Sequence, residues 1–156
     1  MRPSRHFPEL FVANAEGSAA LEFITAGFLL LIPLVYLILA MAALQAGALS
    51  VEGASRQAAR VFVQAPTPAS GSARADTAVD FALDDFGIQH SAATVTISCR
   101  PDPANCLTRR GFVTVTVVAA VTLPLVPSAI SVRTPLSIPM SATSTEQVSR
   151  FWGAGG

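Results

Sequence analysis

The 156-residue chain has room for one modest domain and an anchor, not for two domains. Ten Arg balance ten Asp and Glu, so no net charge favours nucleic acid, and the absence of Lys excludes Schiff-base and P-loop chemistry. Charged residues make up only 13% against 51% hydrophobic ones, about half the charge of an average soluble domain; with a mean hydropathy of +0.52, this suits a chain that leaves part of itself in lipid.

Residues 1–17 carry Arg2 and Arg5 and read as a cytoplasmic leader. From 23 to 44 there follow 22 residues without a charge, dense in Leu, Ile, Val and Ala. As a helix this run spans roughly 33 Å, enough for the hydrocarbon core of a bilayer. Pro33 lies inside it and is expected to bend the helix. The competing reading is a cleaved secretory signal ending at the small residues Ala46, Gly47 and Ala48. Its apolar core would be too long, since such regions run to about 7–15 residues, and the helical pattern does not stop there.

Val51, Ala54, Ala58 and Val61 continue at helical spacing, and Glu52 stands four residues before Arg56 in the favourable order. One helix over residues 18–65 is therefore expected, its outer third an amphipathic stalk that must pack on something. Arg2 and Arg5 are matched by Arg56 and Arg60, so the positive-inside count is tied. The amino terminus and the cysteine pair, which needs an oxidising space, place the N-terminus in the cytoplasm.

Residues 66–150 are expected to form an extracytoplasmic domain. Residues 66–72 read as a Pro/Ala/Ser/Gly linker. A second helix is expected over about 73–86, with Ala75, Val79, Leu83 and Phe86 on one face and Gly87 as its stop. Asp76, Asp80 and Asp84 lie on another face; three carboxylates along one helix cannot wrap calcium as a loop does, so a solvated acidic face is the better reading.

The period then becomes alternating. Val95, Ile97 and Cys99 mark one strand, and Val113, Val115, Val117, Ala119, Val121 and Leu123 share a face of a second. Cys99 and Cys106 bracket the connection, and a short-range disulfide fits them better than a metal site. After a turn at Pro124, Pro127 and Ser128, Leu136, Ile138, Met140 and Ala142 alternate as a further strand. Pro139 puts that strand at an edge. Residues 151–156 are expected to be a disordered tail. The fold class is α+β: a long N-terminal transmembrane and stalk helix, a second short helix and a small antiparallel sheet of three to four strands.

No cue to catalysis is found. His90 has no neighbour that would activate a nucleophile, and Asp84 and Asp85 point to different helix faces. The expectation is a non-enzyme without cofactor or metal.

The informative segment is 16–23, Glu-Gly-Ser-Ala-Ala-Leu-Glu-Phe, directly before the apolar run. A carboxylate such as Glu22 costs about 2.5–3.5 kcal/mol at the centre of a membrane helix and less near its end. Alone it would simply mark the cytosolic boundary. Gly17, then Ser-Ala-Ala-Leu-Glu-Phe and a long apolar helix, resembles the processing site of type IV prepilins, closest to the TadE-like branch of Flp (tight adherence) pilus systems. Residues 52–60, 113–117, 123–127 and 141–146 are also similar to that family. Many relatives have a proline soon after the glutamate-phenylalanine pair, whereas Pro33 here follows Glu22 by eleven residues.

The resemblance implies a pilin-like layout and cleavage by a prepilin peptidase between Gly17 and Ser18. It also implies assembly through Glu22 and Phe23, with Glu22 meeting the new amino terminus of a neighbouring subunit. The implied partners are membrane lipid, the peptidase, other pilin or pseudopilin subunits and the pilus assembly machinery. The alternatives are an uncleaved single-pass assembly factor and a secreted binding module.

Overall fold

The computed structural model describes residues 15–124 and 137–153, with the backbone alone at 15–18 and at His90. Helix α1 (Ala15–Val63) is followed by α2 (Pro68–Asp84), a 3-10 turn at His90–Ala92, and strands β1 (Ala93–Arg100), β2 (Phe112–Thr122) and β3 (Ser137–Gln147). The expected α+β class, with a long N-terminal helix and a small antiparallel sheet, is observed. The chain divides into two compact units, Met1–Ile38 and Leu39–Gly156.

In the first unit, the described part of α1 buries nothing. Leu21, Phe23, Phe28, Leu29 and Ile32 are all exposed. Helix α1 runs without a break through Pro33 and through residues 46–48.

The second unit is built on the C-terminal half of α1. Val51, Ala54, Ser55, Ala58, Ala59 and Phe62 are buried, so the stripe ends on Phe62 and not on the expected Val61, which is half-buried. Ser50 and Ser55 are buried beside them, and each hydroxyl donates back to a carbonyl three residues earlier, at Gly47 (2.8 Å) and Glu52 (3.0 Å). Those bonds remove the penalty of burying a hydroxyl. Glu52 and Arg56 form their i,i+4 ion pair on the exposed face, a contact of modest worth in water.

Helix α2 begins earlier than the sequence reading placed it. Thr67 caps it, its hydroxyl accepting from the Ser70 amide while the Ser70 hydroxyl accepts from the Thr67 amide, and Pro68 occupies the first turn. The supposed linker 66–72 is thus mostly cap and first turn. Ala75, Val79 and Leu83 face the core as expected. Phe86 does not: the helix has ended, and its side chain is 48% exposed. Gly87 takes φ +69°, its amide donates to the Asp84 carbonyl, and the Ile88 amide donates to Leu83. This is the Schellman pattern, which needs a residue tolerant of positive φ.

The sheet order is β1-β2-β3, antiparallel throughout, with Val95 opposite Val117 and Val117 opposite Ala142. Val113, Val115, Val117, Ala119 and Val121 point into the core with both helices. On the open face Thr114 bonds Thr145 (2.8 Å) and Thr116 bonds Thr143 (2.9 Å) across strands. β3 is an edge strand, as Pro139 requires, but it continues to Gln147, well past Ala142. Leu136, and the turn at Pro127 and Ser128, lie outside the described residues.

Cys99 and Cys106 are joined, with Cα atoms 5.0 Å apart. In the chain-entropy model so short a loop contributes about 2.5 kcal/mol, useful where the core is mostly Ala and Val. The expected tail starts later than 151. The Trp152 indole donates to the Ala65 carbonyl (3.1 Å), Arg109 donates to the Trp152 carbonyl (3.0 Å), and the ring packs on the core. Only residues 154–156 lie outside the described part of that segment.

Two glycines of α1 should respond oppositely to alanine. A Cβ on Gly47 would lie 2.3 Å from Cγ2 of Val121, a stiff, buried side chain. Gly47→Ala should therefore lose about 1–3 kcal/mol through overpacking. A Cβ on Gly53 meets nothing within 4 Å, so Gly53→Ala should gain about 0.5–1 kcal/mol of helix stability. Thermal unfolding of the full chain in detergent micelles reads both.

Candidate functional site: the N-terminal segment of α1

The backbone of Gly17 and Ser18 lies in the first turn of α1, which begins at Ala15. Helix starts leave their first amides unpaired and fray readily, and Gly17 weakens this turn further. Residues 1–14 of the expected leader lie outside the described residues.

Glu22 and Phe23 follow one turn later, both exposed, Phe23 at 80%. Thr25 donates its hydroxyl to the Leu21 carbonyl at 2.7 Å, satisfying a polar group at the start of the apolar run without leaving the helix. Glu22 is the one acidic residue between Ser18 and Ser50. Beyond it the helix is long and apolar enough to cross a membrane, with none of its most apolar window buried in the chain. By length and composition this helix is a candidate membrane span. Among its described residues, the first unit presents an apolar surface with one carboxylate, Glu22, at its edge.

Cys99 and Cys106 are brought together as expected, at the connection between β1 and β2. They are separate in sequence and element from the Gly17–Phe23 segment. Asp76, Asp84 and Asp85 are exposed on or just after α2, and Asp80 shares their exposed class. Among the described residues no group of three or more His, Cys, Asp or Glu is placed to hold a metal ion. His90 opens the 3-10 turn; its side chain is outside the described part.

The sequence reading missed two features that position the domain on α1. One is the close approach of Gly47 to Val121; its signal was present, because Gly47 falls four residues before Val51 on the same stripe. The other is the antiparallel return of α2. A Cβ on Gly71 would lie 3.1 Å from the Phe62 ring, and farther down, residues 86–89 share a cleft with Ala43, Ala46 and Gly47. Comparison with models of known protein families gives no match, and comparisons with curated proteins and with solved structures give none either.

Proposed function

We propose that the chain is a TadE-like pseudopilin or minor pilin subunit of a bacterial Flp-type pilus or related secretion apparatus. Its N-terminus lies in the cytoplasm, α1 crosses the membrane once, and the α+β domain stands on the outer side. A prepilin peptidase trims the chain after Gly17, and α1 then packs against helices of other subunits. The role is structural, not enzymatic.

One observation carries this reading. The Gly17–Phe23 segment stands at the head of a helix whose most apolar window finds no partner among the described residues. Exposed apolar surface of this extent calls for lipid or another protein. Before assembly lipid meets that need, and in a fibre neighbouring helices replace it. Glu22, at the lip, then finds its complement in the amino group of Ser18 on an adjacent subunit. In a low dielectric each charge lowers the other's desolvation penalty, so pairing favours one axial register over its neighbours.

Release as a secreted module near Ala48 fits poorly. It would cut α1 inside an unbroken helix and remove Gly47, whose contact with Val121 belongs to the domain's own packing. The test is the mass of the membrane-extracted protein in its native host. A mature chain beginning at Ser18 supports the proposal. A chain still carrying its leader supports the uncleaved assembly factor, and a chain recovered from the medium with its N-terminus near Leu49 supports the secreted module.

A further inference from the structure

We infer that one end of the α+β domain, formed by Phe86, the end of β2 and the neighbouring turn of α1, is a lipid-contacting surface that rests in the outer headgroup layer. The inference rests on the reading of α1 as a membrane anchor and adds to it a defined posture for the domain.

The argument starts from helix lengths. From Val63 back to Gly47 is 16 residues, and from Pro68 to Asp84 is also 16. The two helices are joined by residues 64–67 and run antiparallel, so the end of α2 returns to the level of Gly47. The cleft of about 370 Å³ that joins Ala43 and Gly47 to Phe86, Ile88 and Thr122 places these groups together. β2 ends at the same level, where Val121 meets Gly47. Ala43 belongs to the apolar run of α1, and Gly47 lies one turn, roughly 6 Å, beyond it. Whatever depth the apolar run takes, this end of the domain lies within about one helical turn of its outer limit.

The surface chemistry agrees. Leu49, on the same turn of α1, is 62% exposed, and Phe86 is exposed just past the end of α2, with Phe81 exposed in its last turn. Residues 39–51, 86–99 and 111–124 contain no Asp, Glu, Lys or Arg. In the three strands and the described β1–β2 connection, the charges fall at the opposite end, at Arg100, Asp102, Arg109, Arg110 and Glu146. Asp84 and Asp85 are the nearest carboxylates, at the close of α2. Among the described residues, Phe86, the end of β2 and this turn of α1 carry no charge of their own, with Asp84 and Asp85 beside them; an exposed aromatic ring set within one turn of the apolar run suits the boundary between headgroups and acyl chains. In water the same end would leave an apolar patch uncovered.

The test uses the full chain in vesicles of phosphatidylethanolamine and phosphatidylglycerol. Nitroxide labels are attached to single cysteines in Leu30→Cys, Phe86→Cys, Thr122→Cys and Arg74→Cys, the native pair being protected as a disulfide. Arg74 lies ten residues up α2 from Asp84, roughly 15 Å farther from the proposed surface. The reading is the ratio of collisions with oxygen, which enriches in lipid, to collisions with a water-soluble nickel chelate. Labels at 86 and 122 should give a ratio severalfold above that at 74 and below that at 30. A lipid-like ratio at 30, with 86 and 122 both matching 74, would overturn the inference while leaving the anchor intact. A water-like ratio at 30 would remove the anchor, and the inference with it. Because Phe86 and Thr122 stand on different elements, distortion of one turn by its label does not decide the result.

Discussion

Gly17→Ala is expected to leave the chain in the membrane with its leader still attached, and to abolish its entry into surface fibres. The added methyl acts in two ways. It stabilises the first turn of α1, where Gly17 sits, by about 1 kcal/mol, which alone makes opening that turn about fivefold rarer. It also puts a side chain where the peptidase is proposed to need bare backbone. Glu22→Ala is expected to separate the two steps. It leaves the first turn untouched, so trimming should proceed normally, whereas assembly should fail for want of a partner to the Ser18 amine. N-terminal mass, with immunoblotting of sheared surface material, reads both variants. Normal trimming and normal piliation in Gly17→Ala would remove the prepilin proposal. Normal piliation in Glu22→Ala would remove only the pairing role of the glutamate.

The second large effect concerns the domain. Phe62 is the largest side chain fully buried in a core otherwise made of Val, Ala and a few Leu, and it packs against the face of α2 at Gly71. Truncation to alanine should cost about 3–5 kcal/mol through lost burial and the cavity left behind. For a domain of this size that is a large share of a total stability of roughly 5–15 kcal/mol. Thermal unfolding of the full chain in micelles, followed by the near-ultraviolet signal of Trp152, should shift down by on the order of 20 °C. The apolar half of α1 does not depend on Phe62, so the variant should still fractionate with the membrane while its domain becomes protease-sensitive. Equal stability of variant and parent would show that α2 is held on α1 by something other than this contact.

The long helix and the sheet were legible because their signals are periodic and strong. The run from 23 to 44 has no charge, and the valines of β2 alternate with threonine without a break until Val118. The disulfide followed from two cysteines flanking one connection. Other features were hidden by local chemistry that composition does not reveal. Thr67 and Pro68 read as linker residues, yet in this order they are a cap and a first-turn proline, with Ser70 standing where a longer acceptor is usual. Phe86 fits the apolar spacing of α2, but the turn completed by Gly87 carries it out of the helix before it can face the core. β3 was cut short because Ser141, Thr143 and Thr145 are polar on the open face, and the inward Ser144 and Glu146 break the apolar alternation. Trp152 looked like part of a glycine-rich tail, but the Ala65 carbonyl across the fold, Arg109 and its packing on the core hold it in place. In the Gly17–Phe23 segment, Glu22 and Gly17 were visible as a pattern; the fold adds that Gly17 lies in a helical first turn and that the most apolar window of the helix beyond it is unburied among the described residues.

The most direct measurement is alkaline carbonate extraction of membranes from the native host, with a parallel Leu30→Arg, Leu34→Arg double variant. Peripheral proteins leave under these conditions, and a spanning helix stays. The parent chain should remain entirely in the pellet. Two arginines near the middle of the span, each costing about 2.5–3.5 kcal/mol, should shift the variant toward the supernatant. Recovery of the parent chain in the supernatant would contradict the account at its root, because α1 would then have to cover its apolar surface with something other than the bilayer.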